Sequence, residues 1–130
     1  MPEPTPFVRP YDTSRDFQHG MHVYLSTIDP LLDYEPARTI GAHLWYTPYV
    51  TLCPETCFVL DDGHGRVVGY CIGCASTPSF AQQWRKDFAP SVNRELVPPP
   101  DVQVANDPAM EKEDIKHFRK AVYQADCRVS

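Results

Sequence analysis

The sequence predicts an α+β fold, with a small antiparallel sheet of about three strands flanked by helices. Three observations carry that expectation. Phe17, Met21, Tyr24, Leu25 and Ile28 recur at helical spacing. The glycine-bearing turn Asp62-Gly63-His64-Gly65 separates two short strand-like runs, which reads as a hairpin. The predicted order is strand, helix, helix, strand, strand, helix, helix. The stretch from His43 to Gly73 is the centre of this arrangement, because the strand after the turn, Arg66 to Ala75, is the most apolar in the chain.

The 130 residues amount to one domain at most. That length buries only a modest core. The hydrophobic share of 42% and aromatic share of 12% are those of a globular protein. The 14 prolines are about twice the usual usage and cluster at 2–10 and 98–108. Net charge is −5 with no run of Lys or Arg, which argues against nucleic acid or an anionic membrane as partner. The acidic balance suits a cationic or amine substrate. No stretch reaches the roughly 18 apolar residues of a spanning helix. The start, MPEPTPFVRP, lacks the basic and apolar regions of a secretory signal, so a cytoplasmic location is expected. The 5 cysteines are read as reduced thiols.

Residues 1–6 read as a flexible tail. Phe7-Val8-Arg9-Pro10-Tyr11 fits a first strand, and its proline makes it an edge strand. Asp12 or Thr13 caps the next helix, with Asp16 in the first turn, where negative charge suits the helix dipole. Gly20 weakens that helix and Asp29-Pro30 stops it. Residues 31–36 form a loop with a tyrosine and two carboxylates. A second helix runs over 37–46, with Ile40 and Leu44 inward, and Pro48 ends it. Strands follow at 57–61 and 66–75. A turn centred on Gly63 and His64 pairs Val59 with Val68 and Cys57 with Tyr70. Residues 79–88 form a short helix with Phe80, Trp84 and Phe88 on one face. Residues 89–106 are a loop, stiffened at Pro98-Pro99-Pro100. Asp107-Pro108 starts a last helix, over about 109–125, with Ile115, Phe118 and Val122 on its apolar face. It either docks on the core or swings free.

From about Phe7 to Phe88 the chain resembles the N-terminal half of a GNAT-superfamily acyltransferase. The likeness is nearest to the branch that includes the acetyltransferase-like domain of O-GlcNAcases and its bacterial and fungal relatives. It rests on Val8-Arg9-Pro10-Tyr11 before a capped helix, His43-Leu44 with Tyr49-Val50 around Pro48, Glu55, Phe58-Val59, and Val67-Val68-Gly69-Tyr70 with Gly73. The resemblance implies acyl transfer from acetyl-CoA to an amine substrate, by direct attack on the thioester. In that family a fourth strand and its helix carry R/Q-x-x-G-x-G/A, whose backbone N–H groups face the acetyl-CoA pyrophosphate. This sequence contains no such motif, and Gly63-His64-Gly65 reads as a hairpin turn. The family comparison therefore implies an incomplete GNAT-like fold over 7–88, followed by a loop and C-terminal helix over 89–130. It implies a truncated chain, inactive alone, with no catalytic, cofactor-binding or metal residues of its own. The alternative is a non-catalytic interaction module that pairs, with itself or a partner, through the exposed strand 66–75. A third possibility is a product with no function of its own.

Asp33, Tyr34 and Glu35 occupy the loop that shapes the amine-acceptor pocket in that family. Carboxylates there hold an ammonium ion or relay its proton, and the plain alternative is a solvated capping loop. Tyr70 either faces the acyl cleft and positions substrate or packs against the second helix. Tyr46 and Tyr49 read as helix-end anchors. Cys53, Cys57, Cys71 and Cys74 have zinc-like spacing. Cys71 and Cys74, three apart on a strand, face opposite ways, so small buried thiols are the better reading. The histidines form no metal-binding pair, and His64 is read as solvated. Glu111-Lys112-Glu113-Asp114 reads as a solvated helix face.

Overall fold

The computed structural model describes residues 4–101 and 107–124. The start of the predicted tail, residues 102–106 of the predicted loop, and the predicted helix end at Ala125 lie outside the described residues, as does Cys127.

The sheet has three antiparallel strands, β1 (Phe7–Pro10), β2 (Phe58–Asp61) and β3 (Val67–Cys71), in the order β1-β2-β3. The edge position expected for β1 is observed. Arg9 lies opposite Val59, and Val8 opposite Leu60. The hairpin register differs from the expected one. Val59 pairs with Tyr70 and Asp61 with Val67, with an irregularity between Leu60 and Asp61. Two carboxylates widen the turn. Asp61 accepts hydrogen bonds from the amides of Gly63 (2.8 Å) and Gly65 (2.9 Å). Asp62 accepts from those of His64 (2.7 Å) and Arg66 (3.2 Å). Gly63 (φ +92°) and Gly65 (φ +87°) supply the left-handed backbone that this loop requires. The resulting bulge shifts the pairing. The second strand is also shorter than the predicted 66–75. Beyond Cys71, the Gly73 carbonyl accepts from the Thr56 hydroxyl (2.6 Å) and the Cys53 thiol (3.4 Å) rather than from a strand.

Helix α1 spans Phe17–Ser26. Asp12 caps the turn before it, accepting from the Ser14 amide at 2.9 Å, and not the helix itself as expected. Asp16 sits just ahead of the first turn, with its fully buried side chain drawn to Arg9. Helix α2 covers Ala37–Trp45 and breaks at Tyr46 (φ −130°, ψ −68°), two residues ahead of Pro48, so Thr47 is not pushed out of helical geometry as expected. The same proline starts a further helix, α3 (Thr47–Leu52), where a turn was expected. Proline in a first helical turn forfeits no hydrogen bond, and its fixed φ suits the helix. The Tyr46 carbonyl accepts from the amides of Tyr49 and Val50 to close that turn.

Helix α4 (Thr77–Gln83) starts two residues earlier than expected, where Ser76 caps it. It continues through Trp84–Phe88 as a widened π-helical turn. The segment after it is less loop-like than predicted, since Ala89, Val92 and Val97 are buried in its turns. Asp107 caps a short turn at Pro108–Glu111, and α5 (Glu113–Gln124) follows. Lys112 is extended between the two, which delays the helix relative to the predicted start at 109. Ile115, Phe118 and Val122 are buried as expected, so α5 docks. Its polar face is not wholly solvated. Arg119 is buried and donates to the carbonyls of Pro98 (3.0 Å) and Pro99.

Two apolar clusters result. One joins Ile40 of α2 to Phe88, Met110, Phe118 and Val122. The other fills the space under the sheet with Tyr11, Tyr46, Val50, Cys57, Val59 and Val67.

Candidate functional site

The loop between α1 and α2 holds the predicted acceptor residues. Asp29 caps its first turn, accepting from the Leu31 amide at 3.0 Å. Asp33 and Glu35 are both exposed, and Arg38 of α2 brings them together. Its guanidinium lies 2.8 Å from Asp33 and 3.5 Å from Glu35. The Thr39 hydroxyl donates to the other Glu35 oxygen at 2.5 Å. Exposed ion pairs of this kind are worth about 0–1 kcal/mol, so a competing cation can displace the arginine. Tyr34 points elsewhere. Its hydroxyl donates to the Asp107 carboxylate, 73 positions away in sequence. That hydrogen bond, reinforced by burial, pushes the phenol up to about 12. Asp107 also caps the turn before α5 by accepting from the Ala109 amide, so Tyr34 ties the loop to the C-terminal segment.

Tyr70 lies apart from this loop. It stands opposite Val59 on the helix-covered face of the sheet, with its ring centroid 5.5 Å from that of Tyr46. Tyr34 packs against the α2–α5 cluster and Tyr70 against the sheet cluster. Tyr70 belongs to a layer of phenols with Tyr11, Tyr24 and Tyr46. Burial raises all four above the usual tyrosine value, so the layer stays neutral. The Tyr46 hydroxyl donates to the Phe17 carbonyl at 2.9 Å.

Two glycines make room for this layer. A Cβ on Gly20 of α1 would lie 2.2 Å from the Tyr46 hydroxyl oxygen. One on Gly41 of α2 would lie 2.4 Å from that of Tyr24. Each helix thus offers a glycine to a phenol from the other side of their contact. Sequence reasoning took Gly20 for a weak point and missed this. The available signal was Gly20 one turn before Tyr24 on α1.

The cysteines divide. Cys53 and Cys57 are buried, as expected. Burial pushes the Cys57 thiol up to about 11, and it donates to the carbonyls of Tyr49 and Cys53. A thiol so placed is a poor nucleophile. Cys71 is exposed and Cys74 half-buried, so the reading of small buried thiols fails for that pair. They lie on and just after a short edge strand, not inside a long covered one. Among the described residues, no group of three or more His, Cys, Asp or Glu is placed to hold a metal ion. His64 is exposed in its turn. His43 is not a surface residue. Its ring lies 5.6 Å from Phe88 and 6.1 Å from Phe118, and burial lowers its pKa.

A groove of about 350 Å³ opens where α2, α3, α4 and α5 meet. Trp45, Tyr49, Phe80 and Trp84 form its walls, and Arg85, Asp114 and His117 also line it. Tyr49 and Phe80 stack with ring centroids 4.5 Å apart. Apolar positions here keep helical spacing, but nothing in the sequence signals that four helices leave a gap.

No family model matches the chain, and no curated protein matches it. Among solved structures the chain is similar to the crystal structure of SsHAT, with a TM-score of 0.70 and 27% identity. The match covers 98% of this chain and 60% of SsHAT, so the chain spans less than two thirds of that protein. The likeness supports an acetyltransferase-like fold, and the three-stranded α+β architecture is that of a partial GNAT-like domain.

Proposed function

We propose that this chain is the acceptor-side half of a GNAT-type N-acyltransferase domain. The observation that carries the reading is the match of nearly the whole chain to 60% of SsHAT, in the strand, helix, helix, hairpin order. The nearer likeness to the O-GlcNAcase-associated branch and a cytoplasmic setting belong to the same proposal. In the complete domain an amine nitrogen attacks the carbonyl carbon of acetyl-CoA. The tetrahedral adduct gives its amine proton to water, the C–S bond breaks, and the CoA thiolate leaves. The electrons need no acceptor other than that sulfur.

Asp33 and Glu35 are the acceptor carboxylates in this reading. Arg38 holds them in place of an ammonium ion, and the incoming amine exchanges with it. Tyr34 fixes the loop through Asp107. Tyr70, apart from that loop in the phenol layer, is the neutral substrate-positioning group in this reading. The sequence carries no R/Q-x-x-G-x-G/A loop for the acetyl-CoA pyrophosphate, so the chain alone turns over no thioester. A fusion of the chain to the portion of SsHAT outside the match tests whether that portion completes the domain.

The test is thiol release from acetyl-CoA with a panel of primary amines, for the chain alone and for the folded fusion. No turnover by the chain and turnover by the fusion are expected. Turnover by the chain alone would refute its assignment as an inactive half. A folded fusion that neither binds nor consumes acetyl-CoA would refute the acyltransferase reading.

A second reading is favoured by the position of β3, an edge strand with the apolar Val68 exposed. The chain then acts as an interaction module that pairs with a second copy through this edge.

A further inference from the structure

The groove between α2, α3, α4 and α5 has no part in the acyl-transfer reading, and its chemistry is specific. Both tryptophans of the chain, Trp45 and Trp84, line it. Its volume of about 350 Å³ is that of a small-molecule site. Trp45 is 54% exposed, so a large aromatic surface stands open to solvent here. Tyr49 and Phe80, already stacked on each other, give the groove a flat and rigid flank. Rigid aromatic surfaces of this kind bind flat apolar bodies at little entropic cost.

The polar groups are few and carry opposite charges. Asp114 comes from the first turn of α5, and one of its oxygens accepts from the Ile115 amide. Arg85 comes from the π-helical end of α4. Neither is joined to an opposite charge by an ion pair among the described residues. His117 is the third titratable group in the groove. Lys112 lines a smaller cavity of about 160 Å³ on the other side of Leu44 and Trp45, a cavity that Asp114 also touches. A simple ammonium ion would satisfy Asp114 but meet Arg85. A simple carboxylate would satisfy Arg85 but meet Asp114. A zwitterion satisfies both.

We propose that this groove binds a small aromatic zwitterion of the α-amino-acid type. Its ring lies among Trp45, Trp84 and Phe80, its ammonium group is held by Asp114 and its carboxylate by Arg85. Specificity comes from the charge pair, because the aromatic walls accept any flat ring.

The tryptophans report occupancy directly. Their emission is followed on titration with L-phenylalanine, phenethylamine and 3-phenylpropionate, for the parent chain and for Asp114→Asn and Arg85→Gln. Both substituted side chains are exposed, so the fold should survive, and circular dichroism checks this. Phenylalanine is expected to give a saturable change and to bind more tightly than either singly charged analogue. Asp114→Asn should weaken phenylalanine and phenethylamine about tenfold and spare 3-phenylpropionate, whereas Arg85→Gln should weaken phenylalanine and 3-phenylpropionate about tenfold and spare phenethylamine. No saturable change with any of the three would overturn the site. Equal binding of phenethylamine and phenylalanine, or indifference of phenylalanine to both substitutions, would overturn the zwitterion assignment.

Discussion

Arg9 holds three parts of the chain together through two carboxylates. Its Nη1 and Nη2 donate to the Asp16 carboxylate at 2.7 and 2.9 Å, and its Nε to Asp61 at 2.9 Å. β1, the entry to α1 and the hairpin turn are clamped at one point. Burial works against the charged form of Asp16, yet the hydrogen bonds from Arg9 and the Asp12 amide hold its carboxyl below the ordinary value. Asp61 is lowered chiefly by its bond from Arg9. Carboxyls lowered in the folded state stabilise it fully above the unfolded pKa of about 4, and that stabilisation is lost as pH falls through their folded values. Asp16→Asn leaves the guanidinium short of one charge partner in a buried setting. It should cost about 3 kcal/mol in urea denaturation at pH 7 and flatten the dependence of stability on pH below about 4. An unchanged midpoint would show the clamp to be dispensable. Gly20 supports a prediction of opposite sign to helix propensity, by which Ala gains about 1 kcal/mol over Gly. The Tyr46 hydroxyl that a new methyl would strike is fixed to Phe17 and cannot swing away. Gly20→Ala should therefore lose about 1–3 kcal/mol, partly recovered in the double variant with Tyr46→Phe. A stabilised Gly20→Ala would contradict this packing.

α5 shows how an element is held in place by packing. Phe118 is 1% exposed and meets His43 on α2 and Trp84 at the π-helical end of α4. Phe118→Ala should destabilise by about 3–5 kcal/mol, read as a lowered denaturation midpoint, whereas a frayed helix would lose almost nothing. The apolar face of α5 was legible, because Ile115, Phe118 and Val122 keep helical spacing. So, to within a few residues, were the ends of α1 and α2, which fall ahead of Pro30 and Pro48. The hairpin register was not, because carboxylates of Asp61 and Asp62 bind turn amides and insert a bulge that propensity does not encode. Nor was the fate of Arg119, whose partners are carbonyls some 20 residues earlier. In the acceptor loop, the Glu35–Arg38 pair has ordinary i,i+3 spacing and could have been read. The Tyr34–Asp107 bond joins positions that only the fold brings near.

Across the whole molecule, the two faces of the sheet differ. Val59 and Val67 are buried on the helix side. The pleat turns the opposed pairs Val8–Leu60 and Phe58–Cys71 to the other side, where all four side chains are exposed. Val68 on β3 is also exposed, at 48%. Described helices cover one side of an apolar sheet, and β3 is, with β1, an edge strand among the described residues. Hydrophobic burial favours covering such a surface, and an unpaired strand edge gives the geometry for doing so with a second copy. The chain's apparent mass in gel filtration should therefore rise with concentration. Val68→Lys, which places a charge on the edge strand without touching either core cluster, should return it to monomer with little change in melting temperature. A well-folded parent that stays monomeric at every concentration would refute pairing through β3.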